Sequence, residues 1–240
     1  YMVDDLKETD PIRQDLSFFE ENFDGLMPLE VTVDFGKPKQ VLNLNNLQKL
    51  DKLSEELAQD EDISKPISLI EVIKFANQAF YNGKPVYYKL PTNMTKNFIL
   101  KYASQSTGAI GGQANSFVDS TLQRVRLSFR VKDIGTKKMQ EKENKLYEIV
   151  EKHFPNDRYT VKVTGSSIIF FKGTQYLVFN LFTSLALAIL LIAVFMAWMF
   201  KSKRMVLVAL IPNIIPQIIT AAIMGYFGIP IKASTILVFS

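Results

Sequence analysis

Gly173–Phe200 reads GTQYLVFNLFTSLALAILLIAVFMAWMF, with no Asp, Glu, Lys or Arg anywhere in it. A second uncharged stretch runs from Met205 to Ile231. A helix of about 20 residues crosses the ~30 Å hydrocarbon core of a bilayer, so each stretch is long enough to span. Core helices of soluble proteins seldom exceed ~14 residues, which argues against a buried origin. The expected organisation is therefore a transmembrane helix over 173–200, a loop at 201–204 and a second transmembrane helix over 205–227. An outer turn at 228–232 (GIPIK) follows, and ASTILVFS at 233–240 reads as the start of a further, truncated transmembrane helix.

Flanking residues set the orientation. Tyr176 opens the first span and Trp198 closes it, while Tyr226 and Phe227 close the second, the positions at which aromatic anchors sit in an interface. The four-residue loop KSKR carries three positive charges, and short loops of that kind stay in the cytoplasm. Residues 1–172 are then extracytoplasmic. The expected setting is the bacterial cytoplasmic (inner) membrane, as a multi-pass protein with residues 1–172 periplasmic.

Charge is partitioned in the same way. The sequence has 24 Asp and Glu residues, all of them before Gly173, and the formal excess of +4 comes from Lys201, Lys203, Arg204 and Lys232. A sequence pI near 9.0 is often a sign of nucleic-acid binding. These four cations lie among apolar runs and form no basic stripe, so the expected partner is the lipid bilayer and no nucleic acid. With no cysteine in the chain, disulfides and thiolate metal sites are excluded.

The first 172 residues alternate between two periodicities. Leu29–Phe35, Val125–Lys132 and Tyr159–Val163 place apolar side chains on every second residue, as half-buried strands do. Leu47, Leu50, Leu53 and Leu57 recur at helical spacing, as do Met139, Leu146, Ile149, Val150 and Phe154. Asp10 and Pro11 start a helix over DPIRQDLSFFEENF, and Ser68–Phe80 and Leu90–Ser104 read as two more. Helix, strand, helix, a mixed region, then strand, helix, strand describe an α+β domain of ferredoxin-like, split β-α-β subdomains. Ser104–Ser116 (SQSTGAIGGQANS) reads as a flexible connector between the halves.

Several segments in this order resemble one family. FFEENFDGLMPLEVTVDF, VRLSFRVKDIG, VTGSSIIFFKGTQYLV and LIPNIIPQIITAAIMGYFGIPIKASTILVFS are similar to segments of the resistance–nodulation–division (RND) superfamily. The resemblance is to its MMPL-type exporters, which have a Patched-like, sterol-sensing-type membrane region. It implies that residues 1–172 are a porter domain and that the chain is a fragment, of wording closer to the C-terminal half. The remaining half of the same transporter would then be a partner, and the acids of the proton relay are expected beyond Ser240. No cofactor is expected; a proton gradient is the expected energy source.

Inside the chain, LIPNIIPQIIT holds the best candidate site. Pro212 and Pro216 each remove a helical hydrogen bond, and Asn213, Gln217 and Thr220 add a polar face that lipid would turn inward. The set reads either as a transport-associated hinge or as helix–helix contact. Ser184, Ala186 and Ala188 read as a packing surface. His153 has no companion ligand or nucleophile and reads as a surface or edge residue. Asp119, Arg124 and Asp133 read as solvated pairs. Asn93 in NMT fits a glycosylation triplet by chance, and TGAIGG lacks the GK[ST] of a phosphate loop.

No catalytic constellation is present, so an enzyme is not expected. The leading expectation is a proton-driven exporter of lipid-like or hydrophobic substrates. The alternatives are a non-transporting lipid- or sterol-sensing-type membrane protein and a permease subunit of an ATPase-driven complex.

Overall fold

The computed structural model describes residues 9–105, 115–200 and 203–228. The outer turn after Gly228, the segment 233–240, most of the Ser104–Ser116 connector and the first half of the KSKR loop lie outside the described residues. The chain divides into two compact units, Tyr1–Ile169 and Phe170–Ser240.

The first unit is α+β. Helix α1 (Pro11–Asn22) precedes β1 (Met27–Asp34), α2 (Leu44–Leu57), β2 (Ile67–Ser68), α3 (Leu69–Phe80) and α4 (Lys96–Gln105). Strand β3 (Arg124–Val131), α5 (Gly135–His153) and β4 (Thr160–Thr164) complete it. The four strands form one sheet in the order β2-β3-β1-β4, every neighbouring pair antiparallel. Since β1 and β2 both run against β3, which lies between them, they are parallel to each other; β3 and β4 bear the same relation across β1. Both halves of the sequence thus contribute to one sheet rather than building a sheet each.

Alternation places the core. Leu29, Val31 and Val33 of β1 and Val125, Leu127, Phe129 and Val131 of β3 are all buried, in a register that sets Met27 opposite Val131 and Asp34 opposite Arg124. Buried Leu47, Leu50, Leu53 and Leu57 of α2, with Leu146, Val150 and Phe154 on and just after α5, complete this core. Phe35, Phe154 and Tyr159 meet edge to face, with ring centroids 5.2–6.0 Å apart. Edge strand β4 is only half covered.

Ion pairs tie α2 to α5. Glu56 accepts from Lys152 Nζ at 2.7 Å and faces His153 Nε2 at 2.7 Å, while Lys142 pairs with Asp60 and, at 2.7 Å, Asp62. His153 is a half-buried edge residue at the end of α5, and Glu56 is its partner. The ladder of antiparallel helices brings it against a carboxylate that no local pattern announces. Of the other expected surface charges, Arg124 Nε reaches Asp34 Oδ2 at 2.7 Å, and Asp119 Oδ1 accepts from the Gln123 and Arg124 amides at 2.8 Å. The Asp133 amide donates to Glu20 Oε1 at 2.6 Å.

Two further helices follow: α6 (Ser166–Phe200) and α7 (Lys203–Tyr226). Both are long and apolar enough to cross a membrane, and the most apolar window of each is not buried inside the protein. Helix α6 starts seven residues before Gly173, because nothing in SSIIFFK breaks a helix; the hydrophobic run marks where the charge ends, not where the helix begins.

Candidate functional site

Helix α7 contains both Pro212 and Pro216 in its interior. A proline has no amide hydrogen, so the carbonyls of Val208 and Pro212 lose their i+4 donors. One turn further on, the Thr220 hydroxyl donates to the Pro216 carbonyl at 2.8 Å, an addition to the ladder that bends helices. Val208, Pro212, Pro216 and Thr220 are each four residues apart, so the disturbed bonds fall along one row of the helix. Three successive turns are weakened on that side alone.

Burial sorts the candidate residues. Val206, Leu210, Ile214, Gln217 and Thr220 are half-buried and Met224 is buried, a stripe recurring every three or four residues. Gln217 and Thr220 lie on that stripe, whereas Pro212 and Pro216 are exposed beside it. The Asn213 side chain lies outside the described residues. Of the expected polar face, Gln217 and Thr220 share the covered stripe, and the two prolines lie beside it.

On α6, Ser184, Ala186 and Ala188 are exposed, so the expected packing surface is not formed among the described residues. The half-buried positions include Val178, Asn180, Leu181, Leu185, Ile189, Ala193 and Met196, with Thr174 and Gln175 before them. Hydroxyls on this helix bond inward to its own backbone. Thr174 donates to the Phe170 carbonyl and Thr183 to the Phe179 carbonyl, both at 2.9 Å, and Ser184 donates to Leu181 at 3.0 Å. These three hydroxyls are satisfied within the helix, as lipid requires of them. Tyr176, Trp198 and Tyr226 are among the most exposed aromatics, 67%, 78% and 87% accessible.

The first unit holds a polar cluster that the sequence did not reveal. Lys74 on α3 is 9% exposed, with its Nζ 2.5 Å from Asp51 Oδ1, 3.5 Å from Glu71 Oε1 and 3.9 Å from Glu55 Oε1. Burial disfavours its charge, but the three carboxylates, Asp51 foremost, raise its pKa above the ordinary lysine value. The Tyr88 hydroxyl donates to Glu71, and burial together with that carboxylate pushes the phenol up to about 12. Buried Asn77 donates to the carbonyls of Tyr87 and Lys89 at 2.9 and 3.0 Å, pinning the loop that carries Tyr88. The i,i+3 spacing of Glu71 and Lys74 was the one available signal, and Asp51 is on another helix. An open groove of about 610 Å³ lies between α5 and β4, lined by Tyr147, Val150, Glu151, Asn156, Val161 and Val163 among others.

An α+β unit followed by two helices fit to span, with self-satisfied hydroxyls and exposed aromatic ends, defines a membrane-associated protein with a folded polar head. Residues 100–232 match the MMPL family, a stretch that takes in β3, α5, β4, α6 and α7. The match covers more than half of the chain, and the chain belongs to the MMPL family. No curated protein matches it.

Proposed function

We propose that this chain is part of a proton-driven RND-type exporter of lipid-like or hydrophobic molecules, in which the first unit is a ferredoxin-like porter domain on the periplasmic side. The observation that carries this reading is the MMPL match, which runs as one segment from the later part of the head through both apolar helices. Neither apolar run contains an acid, so proton uptake belongs to a residue outside these two helices. Within them, Pro212, Asn213, Pro216, Gln217 and Thr220 act as the hinge. The row of weakened bonds lets α7 bend at low cost, and the Gln217 and Thr220 side chains hold the covered stripe in register while it does. Helix α6 continues from the strand end at Thr164 without a break after Ser166, giving tilt of the helix a short path to the head.

The test is transport by the full-length protein in proteoliposomes carrying a fluorescent lipid or a hydrophobic dye. Efflux that follows an imposed pH gradient and collapses with an uncoupler supports the reading. Binding of the lipid without gradient-dependent movement refutes it and favours a lipid-sensing protein, while dependence on ATP favours a permease subunit.

A further inference from the structure

We propose that α6 pairs with the α6 of a second copy of this chain, along a seam that runs from Leu177 through Asn180 to Trp198. This rests on the reading that α6 crosses the bilayer, and not on what the protein transports.

The seam is written first as a spacing. Leu177, Ser184 and Leu191 recur every seven residues, Asn180, Leu187 and Val194 stand three places after each, and Trp198 begins the next repeat. A 3–4 alternation sustained in this way is the pattern along which two helices supercoil around each other. On α6 these positions fall within about 100° of arc, on the side away from half-covered Val178, Leu185, Ile189 and Met196. Leu177, Leu187, Leu191 and Val194 are between 47% and 57% exposed, and Ser184 is exposed as well. Among the described residues, none covers these members of the seam.

Lipid suits the aliphatic members but not Asn180. Its carboxamide has two N–H donors and an acceptor, and it bonds to no described residue. Thr183 and Ser184, close by, return their hydroxyls to the backbone of α6. Asn180 lies about 10 Å of helix beyond Gly173, inside the uncharged run, where lipid supplies no partner for an amide. The occupant must therefore bring a polar group to that depth and apolar side chains to the rest of the seam. A second α6 does both by construction. Copies inserted with the same topology run parallel, so a two-fold axis along the membrane normal sets each Asn180 against the other. The carboxamide is self-complementary, donor to acceptor in both directions. Ser184, small and one turn further on, lets the two backbones approach at that level. Sliding the pair by one repeat would set Asn180 against Leu187 and leave both carboxamides unmet, so the asparagine fixes the register.

Cysteine variants of the full-length protein, on a background without other cysteines, test the face. Ser184→Cys, Leu187→Cys, Leu191→Cys and Val194→Cys lie on the seam, and Leu185→Cys and Ile189→Cys on the half-covered side. Oxidation in vesicles of phosphatidylethanolamine and phosphatidylglycerol should give disulfide-linked dimers at the four seam positions and none at 185 or 189. Energy transfer between fluorescently labelled copies, followed as the protein is diluted in lipid, reads the strength of the pair. Asn180→Leu should weaken it by about 3-fold to about 30-fold, and Asn180→Gln, which keeps the carboxamide, should recover most of the loss. Dimers at 185 and 189 in place of the seam, no dimer at any position, or association indifferent to Asn180→Leu each overturn the proposal. If no dimer forms and Leu187→Cys resists a membrane-impermeant maleimide, the span stands and the pairing alone is lost. Reaction of that cysteine with the maleimide defeats the span, and the pairing with it.

Discussion

Replacing Gly165 with alanine is expected to loosen the head. Gly165 joins β4 to α6 at φ +118°, a conformation nearly closed to side-chain-bearing residues. Holding alanine there costs about 1–3 kcal/mol. The new Cβ would also stand 2.3 Å from the Pro28 carbonyl oxygen and 3.0 Å from the Leu29 Cα, both backbone atoms of β1 that no rotamer change can move aside. Relief requires β1 or β4 to retreat, and the Ser167–Pro28 hydrogen bond, worth about 1 kcal/mol, goes with it. A loss of about 2–4 kcal/mol follows, a large share of a domain's ~5–15 kcal/mol. Hydrogen exchange of the full chain in nanodiscs reads this directly. Amides of Leu29–Val33, which exchange through opening of the sheet, should lose protection by about 30-fold to about 1,000-fold. Gly36→Ala supplies the control, because Gly36 has φ +72° but nothing within 4 Å of an added Cβ, so it reports backbone strain alone. If Gly165→Ala is no worse than Gly36→Ala, the close approach of β1 to the start of α6 is wrong.

Lys74→Met should destabilise the head by about 3 kcal/mol, because it leaves Asp51 and Glu71 without the cation they surround; thermal unfolding in detergent checks it, and Asp51→Asn combined with it should recover part of the loss. Asp34 is held below the ordinary carboxylate value by hydrogen bonds from Gln123, Arg124 and the Gly36 amide. Glu56 is lowered likewise by Lys152 and His153. Carboxylates depressed in the folded state contribute stability that is full above their unfolded values, near 3.8 and 4.5, and is lost as pH falls below them. Acid titration followed by hydrogen exchange should therefore show the head constant near neutrality and weakening below about pH 4.5, less steeply in Asp34→Asn. Pro212→Ala with Pro216→Ala restores two helical hydrogen bonds in α7; transport should slow severalfold while substrate binding persists, and unchanged transport removes the hinge.

How far the sequence could be read depended on whether the signal was local. Strands β1 and β3 announce themselves because burial on one face imposes a period of two, and Leu29, Val31 and Val33 had no other reading. Strand β2 did not, since Ile67–Ser68 is two residues long and owes its existence to pairing with Ser128 and Leu127. The start of α6 was masked for a related reason: helix continuity needs only the absence of a breaker, whereas the eye follows hydrophobicity. At the candidate site, the prolines and the polar residues were legible as types but not as faces. Helical geometry separates Pro212 and Pro216 from the stripe holding Gln217 and Thr220. The Lys74 cluster was invisible because its carboxylates come from two helices, and the partner of His153 was hidden because Glu56 reaches it across about a hundred residues of chain.

The two units solve the same electrostatic problem in opposite ways. In the head, polar groups removed from water find partners on other elements: Lys74 with Asp51, Lys142 with Asp62, His153 with Glu56. Such pairs couple elements, so a change at one is felt at another. In the uncharged run of α6, the Thr174, Thr183 and Ser184 hydroxyls each bond to a carbonyl three or four residues back, which satisfies them without reference to a neighbour. Those three groups keep their partners whatever surrounds the helix. Helix α7 departs from this rule, since its two prolines leave the Val208 and Pro212 carbonyls without helical donors in a segment where lipid offers none. Those carbonyls call for a donor from outside the helix's own ladder, a water or a group on another helix. On the hinge reading proposed above, that requirement couples bending of the 208–220 row to hydrogen bonding.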